Sequence, residues 1–187
     1  MLYFPFSEAT PLGILSRAGG SFSISRAVEP VLQELVQRIG ETAHFAVLDG
    51  DCVTYVAKVE SPHPIRMFSY IGWRGPLHAT GAGKVLLAWS PEDTALRVGT
   101  DLLERHTPHT ITEPQALLSE IILIRRRGYA MDEEELIEGL TCVAIPLIVD
   151  GVLLGAFSVA GPTSRMTNCS QIANTMQEIV SKYDLRM

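Results

Sequence analysis

Residues 125–162 read RRRGYAMDEEELIEGLTCVAIPLIVDGVLLGAFSVAGP, and the fold class turns on how this stretch is read. An acidic loop leads into an apolar strand, the chain reverses at Asp150-Gly151, and a second apolar strand returns. From 142 to 161 the sole charged residue is Asp150. A membrane-spanning helix needs about twenty uninterrupted apolar residues. The Asp-Gly pair cuts this run in two, and Val, Ile and Phe enrich both halves, which is the pattern of a buried β-hairpin. Polar residues on the two strands are few: Thr141, Cys142 and Ser158. The hairpin therefore reads as one wall of a pocket. Its register has two solutions. A two-residue turn at Asp150-Gly151 pairs Val149 with Val152 and sends Cys142 and Ser158 to opposite faces. A three-residue loop with Gly151 left-handed pairs Ile148 with Val152 and puts Cys142 opposite Ser158 on one face.

Working outward, Thr112-Glu113-Pro114-Gln115 starts a helix that runs to about Arg127 and stops at Gly128. Arg125–Arg127 fall in its last turn, where cations suit the helix dipole. Upstream, Ser90-Pro91-Glu92-Asp93 has the same starting grammar, and Val85–Trp89 forms a short helix after Thr80-Gly81-Ala82-Gly83-Lys84. His44–Glu60 alternates with period two around Asp49-Gly50, a second hairpin. Residues 65–71 are expected to form a third strand, followed by a turn region from Gly72 to Pro76. Val28, Val31, Leu32, Leu35, Val36 and Ile39 make a helical stripe ended by Gly40. Pro30 belongs in a first turn, which places the start of that helix near Ser25. Residues 1–24 lack a period and read as a linker or the remnant of another element. A last helix runs from about Ser170 to Tyr183. The order predicts an α+β domain with an antiparallel sheet and packed helices.

The apolar fraction of 47% and charged fraction of 19% belong to a folded domain. A net charge of −6 argues against nucleic-acid binding by this chain, because phosphate neutralisation needs a basic surface. Three scattered cysteines, Cys52, Cys142 and Cys169, make neither a disulfide framework nor a metal site, and no secretory signal pattern opens the chain; a cytoplasmic location is expected.

Three stretches carry chemistry. Lys84 after Gly-Ala-Gly invites a phosphate-loop reading, but His78 stands where that motif needs Gly and Val85 where it needs Ser or Thr. What survives is a helix start with exposed N–H groups, suited to an anion such as a carboxylate; the local sequence equally allows close helix packing as the reason for the glycines. Cys142 with His78 as base would make a nucleophile, yet cysteine more often simply packs. The acidic run Asp132–Glu135 reads as a solvated face, except that Asp132 follows the extended piece Tyr129–Met131 and aims at the sheet.

HATGAGKVLLAWSPED (78–93) and RRRGYAMDEEELIEGLTCVAIPLIVDGVLLGAFSVAGPTSR (125–165), with the 44–60 hairpin, resemble the effector-binding domain of IclR-type bacterial transcriptional regulators from about Ala27 onward. The resemblance implies a GAF-like curved antiparallel sheet with helices on both faces, spanning residues 25–187. It implies a pocket for a small organic, sugar or aromatic acid. The carboxylate would meet backbone N–H groups at Gly81 and Ala82. Asp132, Cys142 and Ser158 are the implied polar partners, with Met67 and Leu140 as apolar walls. It favours the three-residue loop. Ala160 departs from a serine often found there, which removes a hydroxyl and speaks against a very small, highly polar keto acid. It implies no cofactor, no metal, no enzymatic activity and no membrane. It implies a homodimer or tetramer that reaches operator DNA through a winged helix-turn-helix domain, expected to be missing ahead of residues 1–24. A cysteine-dependent hydrolase and a ligand-free dimerisation module are the alternatives.

Overall fold

In the computed structural model, residues 20–90 and 103–185 are described. Among them four helices and six strands follow in order: α1 (Gly20–Ile39), β1 (Thr42–Asp49), β2 (Cys52–Val59), β3 (Arg74–Pro76), α2 (Gly81–Trp89), α3 (Pro114–Arg127), β4 (Ala130–Glu133), β5 (Leu140–Val149), β6 (Val152–Pro162) and α4 (Cys169–Val180). The strands form one curled antiparallel sheet in the order β3-β2-β1-β6-β5-β4.

Alternation along the strands divides two apolar clusters between the sheet's faces. Phe45, Val47, Val143, Ile145, Phe157 and Val159 face α1 and α4. Ala46, Tyr55, Cys142, Ala144, Ala156 and Ala160 lie on the face covered by α2, on whose outer side α3 packs. The first face is lined by bulky side chains, the second by alanines. The α2 side therefore lies over a floor of small residues.

Several expectations are corrected. Helix α1 begins at Gly20, five residues before Ser25, so Pro30 sits in its interior. Pro30 is exposed, while Ile24, Val28, Val31, Leu32 and Leu35 are fully buried. Burying such side chains yields roughly 1.5–3 kcal/mol each, which outweighs the roughly 3 kcal/mol cost of an interior proline. Residues 65–71 form no strand, and the pairing edge comes from Arg74–Pro76 instead. Met67 and Ser69 still turn inward, but Ile65, Phe68, Tyr70 and Ile71 are exposed. Of the expected helix start at Ser90-Pro91-Glu92-Asp93, Ser90 is described, as the C-cap of α2, and the rest lies outside the described residues.

The focal hairpin combines parts of both registers. Asp150 (φ 50°) and Gly151 (φ 78°) form a two-residue turn, and Val149 pairs with Val152. The expected three-residue loop is wrong, and so is the consequence drawn from a two-residue turn. Ile148 pairs with Leu153 but Leu147 with Gly155, so Leu154 is a bulge residue. That one extra residue returns Ser158 to the face of Cys142: Ala144 opposes Ser158 and Cys142 opposes Ala160.

Candidate functional site

The N-terminus of α2 is pressed against the centre of the sheet. Thr80 caps it, accepting the Gly83 amide at 3.0 Å and donating its own hydroxyl to the Pro76 carbonyl at 2.8 Å. A Cβ on Gly83 would fall 2.5 Å from the Leu77 carbonyl oxygen and from Thr80 Oγ1, so close approach requires glycine there. The first amides of a helix have no intrahelical acceptor. The cap takes the third, which leaves those of Gly81 and Ala82, both buried. A Cβ on Gly81 would lie 3.2 Å from Cys142 Sγ.

Around this helix end the sheet presents polar atoms. Asp132 on β4 is directly opposite Cys142 on β5. Its Oδ1 accepts the amides of Glu135 (2.7 Å) and Leu136 (3.4 Å), which folds the acidic run into a tight loop. Burial raises the Asp132 carboxyl to about 7; the Glu135 carboxylate adds to that, against the Glu135 amide and Lys84. Burial, then Asp132, pushes the Cys142 thiol well above its ordinary range. Ser158, beside that thiol, pulls the other way, yet its hydroxyl makes no hydrogen bond of ordinary geometry and stays buried without a protein partner. Met67 is buried in the same apolar cluster, and Leu140 packs at its edge. The structure thus brings Gly81, at the start of α2 with Ala82, together with Asp132, Cys142 and Ser158, while Met67 and Leu140 belong to or pack against the apolar cluster on the same side of the sheet.

The Cys142–His78 pairing does not form as a catalytic couple. His78 Nε2 is engaged with the Glu104 carbonyl at 2.9 Å, and its ring stacks on His106. A buried thiol held protonated is no nucleophile at neutral pH.

Other residues lie close to the site in roles that the sequence reading did not assign. Lys84 is buried and ion-paired with Glu135, itself buried, so the acidic run is not simply a solvated face. His44 and Tyr55 stack at 4.3 Å, and Tyr55 leans on Trp73 at 4.9 Å. Burial raises the Tyr55 phenol well above its usual range, with Cys142 and Asp132 as electrostatic neighbours. The signal for His44 was present in the period-two pattern, which puts it on one face with Ala46, opposite to Phe45 and Val47. Nothing local distinguishes Glu135 from its acidic neighbours.

Comparison with known proteins bears on the family and the fold. The family model described as bacterial transcriptional regulator IclR, C-terminal, matches residues 17–184. The chain is 41% identical over 141 residues to the HTH-type transcriptional regulator BhcR of Paracoccus denitrificans, covering 74% of this chain and 50% of that protein. It spans about half the length of the first curated relatives it matches. Its fold is similar to the crystal structure of the Thermotoga maritima IclR, with TM-score 0.76, 31% identity, and coverage of 92% of this chain and 71% of that one. It is also similar to the inducer-binding domain of a PobR transcription factor double mutant from Acinetobacter in complex with 3-hydroxybenzoic acid, with TM-score 0.75, 26% identity, and coverage of 84% and 95%. These relatives are regulators, not enzymes.

Proposed function

Because the chain belongs to the IclR family of bacterial transcriptional regulators, as a C-terminal effector-binding domain, we propose that it senses a small organic, sugar or aromatic acid between α2 and the sheet. The observation that carries this reading is the buried start of α2. The Thr80 cap leaves over the amides of Gly81 and Ala82; Gly81 lies against Cys142, which neighbours an unpartnered Ser158 hydroxyl and an uncharged or half-charged Asp132. Helix N-terminal amides favour an anion. Its carbon skeleton would lie over the alanine floor, with Met67 and Leu140 as apolar walls. The complex of the PobR domain supports the ligand class.

In this proposal the acid favours one arrangement of domains or subunits and so shifts operator affinity. The DNA-binding part is a helix-turn-helix domain of a longer parent protein in the cytoplasm, as the names and lengths of the curated relatives suggest. Self-association into a dimer or tetramer is part of the same reading, and the exposed side chains of Ile65, Phe68, Tyr70 and Ile71 offer an apolar surface for it.

A thermal-shift screen against small organic, sugar and aromatic acids tests the sensor. A ligand at a hundred times its Kd stabilises by about 2.7 kcal/mol. Gly81→Val, which fills the space in front of Cys142, and Asp132→Ala both remain folded and lose that stabilisation. Silence across the whole screen, or full stabilisation in both variants, overturns the reading.

A further inference from the structure

The carboxylate end accounts for only part of the polar surface under α2. His44 and Ser158 are directly paired across β1 and β6, and both are fully buried. On the same face each carries an atom without a protein partner, His44 Nδ1 and Ser158 Oγ. The imidazole is held in place: Nε2 is 2.7 Å from Ser69 Oγ, and the ring stacks on Tyr55. A buried polar atom left unsatisfied costs roughly 1–3 kcal/mol, and here two such atoms belong to directly paired residues of neighbouring strands. We propose that His44 and Ser158 form a hydroxyl-recognising pole of the pocket, so that the acid it selects is a hydroxy acid.

The chemistry of the pair specifies the group. Whichever imidazole tautomer Ser69 selects, Nδ1 either accepts or donates one hydrogen bond, and the serine hydroxyl supplies the complementary role. A ligand hydroxyl donates one bond and accepts one, and so satisfies both atoms in either tautomer. A second carboxylate is unsuited, because His44 stays neutral: burial, then the charge of Lys58, depresses its pKa to about 3. The spacing adds a constraint. Gly81 abuts Cys142, and Ser158 is a diagonal step from Cys142, so the poles are separated by roughly 5–8 Å. The hydroxyl is therefore carried several bonds from the carboxyl, on a chain or ring lying along the His44–Tyr55–Trp73 stack.

This inference rests on the proposed acid sensor, and one experiment separates the two. Titration calorimetry of the full chain compares 4-hydroxybutyrate with butyrate, and 3- and 4-hydroxybenzoate with benzoate. The expected result is at least one hydroxy acid bound about tenfold or more tightly than its deoxy partner. His44→Phe and Ser158→Ala each bring that ratio toward one. Ser158→Ala removes a single unpartnered hydroxyl, so it carries the test even where His44→Phe does not fold. Equal affinity for both members of every pair, or a ratio unchanged in Ser158→Ala, overturns the pole and leaves the sensor standing. No binding of any of the five acids overturns the pole, and silence across the broader screen overturns the sensor as well.

Discussion

Asp132 shows how one residue couples the site to pH. Its folded pKa of about 7 lies above the ordinary 3.8 because burial penalises the carboxylate. The folded state then holds a proton that the unfolded chain releases from pH 4 upward. Stability is highest below pH 4 with respect to this group, falls as pH rises, and levels off above 7. Asp132→Asn is expected to flatten that dependence, by up to about 4 kcal/mol between pH 4 and 8 in urea unfolding. Identical slopes in both proteins would show that the carboxyl does not titrate in this window. An anion bound beside Asp132 favours its protonated form, so acid affinity is expected to decline above pH 7, where titration calorimetry reads it. Ser158 behaves differently. Its hydroxyl is buried without a partner, so Ser158→Ala is expected to leave the unliganded protein as stable or about 1 kcal/mol more stable. A lower melting temperature means that the hydroxyl has a partner after all. Cys142, buried with a raised pKa, is expected to react with iodoacetamide after Cys52 and Cys169, both half-buried. The period and composition of β5 and β6 made Cys142 and Ser158 visible in the sequence. The buried role of Glu135 was not, because it depends on Lys84, fifty-one positions away.

At the scale of elements, α2 and the β5–β6 hairpin make the site. The α2 end is legible locally: Thr80 caps, and Gly81 and Gly83 permit contact with Cys142 and Leu77. One tie that holds the helix is long-range, the buried ion pair of Lys84 with Glu135 in the loop after β4. Removing one partner of such a pair strands a charge at a cost of about 3–5 kcal/mol, whereas replacing both by apolar groups is often close to neutral. Lys84→Met alone is therefore expected to be strongly destabilising, and Lys84→Met with Glu135→Leu to recover most of the loss. Urea midpoints of the two singles and the double measure this; additive losses would remove the pair's role. The hairpin teaches a related lesson. Asp150-Gly151 encodes a two-residue turn, because both positions take positive φ. The bulge at Leu154 is not encoded by any turn residue. Beyond it, Phe157 and Val159 pack against α1 and α4 while Ser158 and Ala160 face α2. A regular ladder from the same turn would expose that arrangement to inversion, and the two-sided core selects the bulge instead.

Among the described residues, two packed clusters on opposite sides of one sheet divide the work: α1 and α4 hold the bulky core, and α2, backed by α3, covers the small-residue floor. Outside both, Phe68 is 89% exposed, and Ile65, Tyr70 and Ile71 are exposed with it. Large apolar side chains exposed this close together in the chain are candidates for a contact site. Light scattering is expected to give a multiple of the 20.5 kDa chain mass, and Phe68→Asp with Ile71→Asp to lower it. An unchanged mass in the double variant would place self-association elsewhere.

The amino-acid sequence by itself determined the α+β class, both hairpins, the helix stops at Gly40 and Gly128, and the anion-suited start of α2. Each of these follows from short-range periodicity, capping or turn chemistry. Tertiary structure alone decided the rest. It extended α1 through Pro30 because a buried stripe outweighs one lost ladder bond. It moved the third strand from 65–71 to Arg74–Pro76, and it inserted the bulge that unites Cys142 with Ser158. It also set His44 opposite Ser158 and Lys84 against Glu135. Those outcomes depend on which groups must be buried together, and burial is a property of distant segments meeting rather than of any one stretch.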